Sequence, residues 1–274
     1  MSILISNSAD AAHYLKQNQQ QLQKSLKRLS SGKKISGGGD DPGGLAVSMK
    51  INASIKRLAA AESNVQNGIS FLEVQDGLLE TVGNIVTRIS ELKGLISDDP
   101  LKGTSEKASY QAEFEELVDQ FDSIKAMTFN GVGLFDDLAT SADTNNLDIA
   151  IDDSGTTVQI SLSNLGATAL ANVMDNSKAL ETHADLAVDK ISDALNHVAT
   201  LRAGNGSAQS RMQFTAQSLS LQKNNMTAAL SRIEDIDLAA ETANLAKYSI
   251  MTQASAAMVA QANSQNDIAL MLLR

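Results

Sequence analysis

Leu58, Val65, Leu72, Leu79 and Val86 recur at intervals of seven residues, and a second row, Val82, Ile89 and Ile96, joins them in the later half. A strict seven-residue apolar repeat favours helices that wind around one another. If residues 45–97 are helical throughout, they reach roughly 80 Å at about 1.5 Å per residue, which describes a rod. The rest of the composition agrees. Two Pro in 274 residues leave few obligatory helix breaks, and 3% aromatics without Trp leave a core made mostly of aliphatic side chains.

The ends of the chain carry the same kind of signal. Leu15, Leu22, Leu26 and Leu29 form a narrow helical stripe, flanked by polar residues that include the run Gln17 to Gln23. A stripe so narrow does not hold a helix alone, so it needs a partner helix. This helix is expected to stop near Ser31-Gly32. The Gly-rich stretch Ser36 to Gly44 reads as a flexible break, with Pro42 removing a backbone donor. The periodicity resumes at Leu45 and ends at Asp98-Asp-Pro100.

The spacing of Tyr110, Phe114, Leu117, Phe121 and Ile124 predicts a third helix, starting from a Ser105 cap. Thr128 to Phe135 reads as a turn into extended chain. Alternation over Asn146–Asp152 and again at Val158, Ile160 and Leu162, around Asp153-Ser-Gly155, predicts a hairpin. From about Leu180 helical spacing (Val188, Ile191, Leu195, Val198) runs almost unbroken to Ala262, with Gly204-Asn-Gly206 as its weak spot. The expected fold is mainly α: long coiled-coil helices from both termini, a helical bundle and a small β-hairpin region in the middle. The termini are expected to pair with each other and with other copies.

Charge narrows the function. The net charge is -10, yet residues 1–60 hold nine Lys/Arg against three Asp/Glu. A basic start could be a nucleic-acid arm, a membrane-surface patch or a self-association device. Only Tyr14 among those residues could stack on a base, and the acidic total argues against a general nucleic-acid binder. No run of about 18 apolar residues offers a membrane span, so no membrane insertion is expected. The start of the chain has no secretory signal pattern.

No catalytic constellation emerges. With no Cys there is no thiol nucleophile and no Cys-ligated metal. The Gly-rich stretch lacks Gly-Lys-Ser/Thr and carries Asp40-Asp41, which would repel phosphate. The acidic residues between Asp143 and Asp153 lack the Gly and closing Glu of a calcium loop. His183 and His197 stand fourteen residues apart and read as ordinary helix residues. Neither enzyme activity nor a cofactor is expected. An apolar seam that one copy cannot bury marks an interaction surface, and head-to-tail repetition of such a surface yields an open polymer.

Particular words of the sequence then become informative. Arg28-Leu-Ser-Ser-Gly32, the segment Ile35 to Val47, Gln66-Asn-Gly-Ile-Ser70 and Phe129-Asn-Gly-Val132 together resemble the N-terminal region of bacterial flagellin. Leu201-Arg-Ala203, Gln209-Ser-Arg211, Ser231-Arg-Ile-Glu-Asp-Ile-Asp237, Ala260-Gln-Ala-Asn263 and Leu272-Leu-Arg274 resemble its C-terminal region. The resemblance implies a filament subunit with most of the variable outer domains missing; its structural relatives at the hook–filament junction are the alternative. It also implies an inner coiled-coil domain of residues 1–33 plus 231–274 and an outer bundle of 34–230. The connector lies at 34–44 (Gly37, Gly38, Gly39, Pro42, Gly43, Gly44), looser or differently bent than usual, and a β-hairpin region at about 136–180.

On the same basis, inner-tube polymerisation falls to Leu15, Leu22, Leu26, Leu29, Met251, Met258, Leu270, Leu272, Leu273 and Arg274, in segments disordered until they assemble. Outer-bundle packing falls to Leu58, Val65, Leu72, Leu79 and Val86. Arg88 and Leu92 match positions read by an innate immune receptor, whereas Ser90 and Leu95 depart from sensed relatives. The implied partners are further copies of the chain, a flagellin chaperone, the flagellar type III export apparatus, the filament cap and hook-associated proteins. The implied location is the extracellular flagellar filament.

Overall fold

The computed structural model describes residues 2–97, 103–136, 146–152, 155–175, 179–181 and 186–272, without the side chains of 2–8, 97 and 266–272. Helix α1 spans Ser2–Ser31, α2 Pro42–Ser97, α3 Thr104–Lys125, α4 Thr168–Val173, α5 Val188–Glu234 and α6 Leu238–Leu272. Short strands lie between α3 and α4: β1 Thr128–Phe129, β2 Val132–Gly133, β3 Phe135–Asp136, β4 Asn146–Ala150, β5 Thr157–Ser161 and β6 Ser163–Asn164. Two compact units result, residues 1–55 with 224–274, and residues 56–223; α2 and α5 contribute to both.

The seven-residue rows are the core of the 56–223 unit. Leu58, Val65, Leu72, Leu79 and Val86 are buried, as are Val82, Ile89 and Ile96. On α3 the inward face is Phe114, Val118, Phe121 and Ile124, with Tyr110 and Leu117 packed at its edge. On α5, Ile191, Ala194, Val198, Met212 and Leu219 complete the bundle. The predicted hairpin forms as β4–β5, paired from Asn146↔Ser161 to Ala150↔Thr157. It lies against α2 at Gly68, where a Cβ would come within 2.4 Å of Ile149 Cδ1.

Several expectations change. Helix α3 begins at Thr104 behind Gly103, with no side-chain cap, so Ser105 is not its N-cap. Residues 128–133 form a second hairpin rather than a plain turn, because Asn130 (φ 51) and Gly131 (φ 81) both adopt the left-handed conformation that a two-residue hairpin loop needs. Phe129 anchors it edge-on to Phe71. The weak spot at 204–206 does not break α5. There Asn205 is buried and donates to Leu72 O and Gln75 Oε1, while Gln75 Nε2 donates to Leu134 O. This buried network ties α5, α2 and the segment after β2 to one another. The terminator at 98–100 and His183 lie outside the described residues; His197 Nε2 lies 3.2 Å from Asn164 O.

Truncating a core position should separate seam from surface. Leu72→Ala, at a fully buried site, is expected to lower unfolding stability by about 2–5 kcal/mol, whereas the exposed Val74→Ala should change it by less than about 0.5 kcal/mol. Urea denaturation of both variants checks this.

Candidate self-association site

The unit formed by residues 1–55 and 224–274 is built on α1 and α6, which run antiparallel along each other. Their inward faces alternate steps of four and three. On α1 the row is Ala11, Leu15, Asn18, Leu22, Ser25 and Leu29; on α6 it is Glu241, Leu245, Tyr248, Thr252, Ser255, Val259 and Ala262. This is the two-in-seven spacing of a coiled-coil seam. Its most buried members on α1 are polar, Asn18 and Ser25. Asn18 Nδ2 donates to Ser255 Oγ at 2.7 Å. A polar pair in such a seam fixes register, since sliding by one turn would strand both groups against apolar neighbours.

The expected polymerisation residues therefore divide. Leu15, Leu22 and Leu29 are half-buried in the seam. Leu26 (50% exposed), Met251 and Met258 (64% exposed) lie off it, as do Leu238 and Ile250 (66% exposed). Ile35 is the one buried apolar side chain of this unit among the described residues. Next to the seam Tyr14, Met251 and Met258 line an open groove of about 710 Å³, together with Asp10, Gln17 and Gln261. The side chains of Leu270 and Leu272, and the whole of Leu273 and Arg274, lie outside what the structure describes.

The connector is the second element of the site, and it is not a loose break. Helix α1 ends at Gly32 (φ 70), and Gly32 O accepts from Ile236 N–H at 3.2 Å. In return Lys34 N–H donates to Glu234 O at 2.5 Å, and Lys33 pairs with Asp235 as an antiparallel bridge. The break in α1–α2 is thus hydrogen-bonded to a break between α5 and α6. That second break interrupts the helix expected to continue to Ala262. Asp237 causes it by accepting from Ala239 and Ala240 N–H as the N-cap of α6, a sequence signal that the apolar spacing masked.

Charges complete the junction. Lys33 Nζ lies 2.6 Å from Glu234 Oε2, and this hydrogen bond holds the Glu234 carboxyl below its ordinary range and Lys33 above its own. Asp40 receives Lys24 Nζ at 2.7 Å together with the Ser36 amide and hydroxyl, which push its carboxyl well below the usual carboxylate range. Pro42 occupies the first position of α2, where a missing N–H costs nothing, and Asp41 accepts from Gly44 N–H at 2.9 Å as the cap before it. A Cβ on Gly44 would lie 2.4 Å from Asp41 Oδ2 and 2.7 Å from Ile35 Cδ1, so the cap needs this glycine. Gly37 and Gly39 have open space around them and Gly38 meets only Leu45 at 3.8 Å, so nothing requires glycine at these three positions. The sequence had suggested no place in the junction for Ile35, Lys33, Glu234 or Asp40, because none of them falls on an apolar stripe.

In the 56–223 unit the residues assigned to an immune-receptor surface also divide. Leu92 is fully buried, so it packs the core and offers nothing to a receptor. Arg88 is half-exposed, bonded to Glu113 Oε1 at 2.7 Å and Glu91 Oε2 at 2.8 Å.

A helix pair zipped along one edge, with a second apolar set left in solvent on the same helices, has the form of a self-associating subunit. Residues 5–140 match the bacterial flagellin N-terminal helical region, and residues 188–273 match the bacterial flagellin C-terminal helical region. The chain is 36% identical over 292 residues to the flagellin of Bacillus subtilis (strain 168), covering 95% of each. It is 36% identical over 259 residues to that of Halalkalibacterium halodurans, covering 94% of this chain and 93% of the relative. It is 33% identical over 267 residues to the flagellar filament 30.7 kDa core protein of Treponema maltophilum, covering 93% of both. The chain belongs to the bacterial flagellin family.

The junction makes two expectations measurable. Asp40→Asn should cost about 1 kcal/mol of local stability at neutral pH. A depressed carboxyl stabilises above its unfolded value near pH 4 and loses that contribution as pH falls through the folded value, so the deficit should vanish in strong acid. Amide exchange of residues 33–40, followed against pH, reads both the cost and its loss. Gly44→Ala should speed exchange across the first turn of α2, whereas Gly38→Ala should leave it unchanged.

Proposed function

We propose that this chain is the structural subunit of a bacterial flagellar filament, polymerising through its terminal helices into the helical tube that serves swimming motility. The carrying observation is the distribution of apolar surface. The terminal unit leaves Leu26, Leu238, Ile250, Met251 and Met258 in solvent on helices that pair through another edge. Burial of each such side chain contributes about 1.5–3 kcal/mol, which offsets the ordering cost of helices that are marginal alone. The inner domain of the filament is assigned to residues 1–33 with 231–274, and the outer bundle to 34–230.

The same exposed helices suit a chaperone that holds them apart before assembly, and export through the flagellar type III apparatus to an extracellular filament bounded by hook-associated and cap proteins. Recognition of the outer bundle by an immune receptor would run through Arg88 and its glutamates. No catalytic role is assigned.

Charging the leftover surface tests this reading. Met258→Asp and Ile250→Asp should each raise the concentration needed for polymerisation by at least about tenfold, since about 1.4 kcal/mol lost per contact already gives that factor. Melting of the 56–223 bundle should not move. Sedimentation and negative-stain microscopy read the polymer; filaments forming normally from both variants, at unchanged concentration, would sink the proposal.

A further inference from the structure

The chain contains three Asn-Gly dipeptides, at 67–68, 130–131 and 205–206. Asn followed by Gly is the pair most prone to spontaneous deamidation. The backbone nitrogen of Gly attacks the Asn side-chain Cγ, the unbranched Gly offers no steric obstacle, and ammonia leaves as a five-membered succinimide closes. Water then opens the ring at either carbonyl, giving aspartate or isoaspartate, so the net change is Asn plus water to acid plus ammonia. The reaction needs a free backbone N–H and an Asn side chain free to rotate.

The fold protects two of the three. Gly68 and Gly206 lie inside α2 and α5, where each N–H is held by the carbonyl four residues earlier. Asn205 is buried, and its amide nitrogen is committed to Leu72 O and Gln75 Oε1. A Cβ at Gly68 would run into Ile149, so the backbone there is enclosed as well. The Asn130-Gly131 pair differs on each count. It forms the two-residue loop of the β1–β2 hairpin, both residues are exposed, and no atom lies within 4 Å of the place a Gly131 Cβ would take. Among the described residues the Asn130 amide has no hydrogen-bond partner, and the Gly131 N–H donates to no backbone carbonyl.

We infer that Asn130 is the site at which the folded protein ages by deamidation, converting the loop of the β1–β2 hairpin into a mixture of aspartyl and isoaspartyl forms. The product has structural consequences. The new carboxylate joins Asp148 in the lining of one open groove and adds a second negative charge there. An isoaspartyl link inserts one more backbone carbon into a loop whose length sets the pairing Phe129↔Val132. The hairpin leads directly into Leu134, whose carbonyl the buried Gln75 amide holds at 2.6 Å.

The test is peptide mapping of the purified full chain after storage in mildly alkaline buffer, once folded and once in urea. Deamidation leaves a peptide about one mass unit heavier, and an Asn130→Asp chain supplies the chromatographic standard for the aspartyl product. In urea all three sites should react at similar rates. In the folded chain the Asn130 peptide should accumulate at least about tenfold more product than the other two, because their reaction waits on local opening of a helix. Comparable reaction at Asn67 or Asn205 in the folded chain would overturn the inference, as would an inert Asn130 when the unfolded chain reacts at all three.

Discussion

The terminal unit depends on a mismatch between the width of an apolar stripe and the number of partners one chain supplies. Each terminal helix has a seam with two positions in seven facing its mate, and a seam of that width buries little. Asn18 and Ser25, its most buried members on α1, are polar, and the flanking leucines stay half in water. The α1–α6 pair is therefore specific in register and poor in hydrophobic stabilisation. Its remaining apolar side chains point elsewhere. A helix pair with that balance is weak by itself and leaves apolar surface in solvent.

The bundle of residues 56–223 has the opposite balance. Its seven-residue rows are dry, and the buried Asn205 and Gln75 side chains are bonded to each other and to the carbonyls of Leu72 and Leu134. Lys93 shows the same economy: its ammonium donates to Leu180 O and Glu181 O, and burial lowers its pKa below the ordinary lysine value. On the surface, Arg202 bonds Asp76 through two nitrogens at 3.1 Å. One unit is finished alone, and the other is left open.

The sequence made the long elements legible because their signal is periodic and redundant. Five residues seven apart name a buried stripe, and losing one would not hide it. The hairpin over 146–161 was legible through alternation. What stayed hidden rests on single residues. The division of α5 from α6 depends on Asp237 accepting two amides, and a continuous apolar spacing runs across that break. The β1–β2 hairpin turns on one Asn-Gly pair. The connector looked loose because it is rich in glycine, yet its order comes from Asp40, Asp41 and a strand-like pairing with residues 200 positions away, which no local pattern encodes. The separation of Leu26, Met251 and Met258 from Leu15, Leu22 and Leu29 needed the seam to be located first, and Asn18 and Ser255, which locate it, are polar.

The hydrogen bond from Asn18 to Ser255 joins residues 237 positions apart. Closing a loop of that length carries an entropy cost that contacts along the seam must offset. A chain that emerges from its N-terminus cannot complete this pair until Ser255 has emerged. Until then α1 has no mate, and the apolar side chains beside the seam have no rigid surface on which to be displayed. Sequence distance acts here as a clock: the α1–α6 seam cannot close before the segment around Ser255 is present.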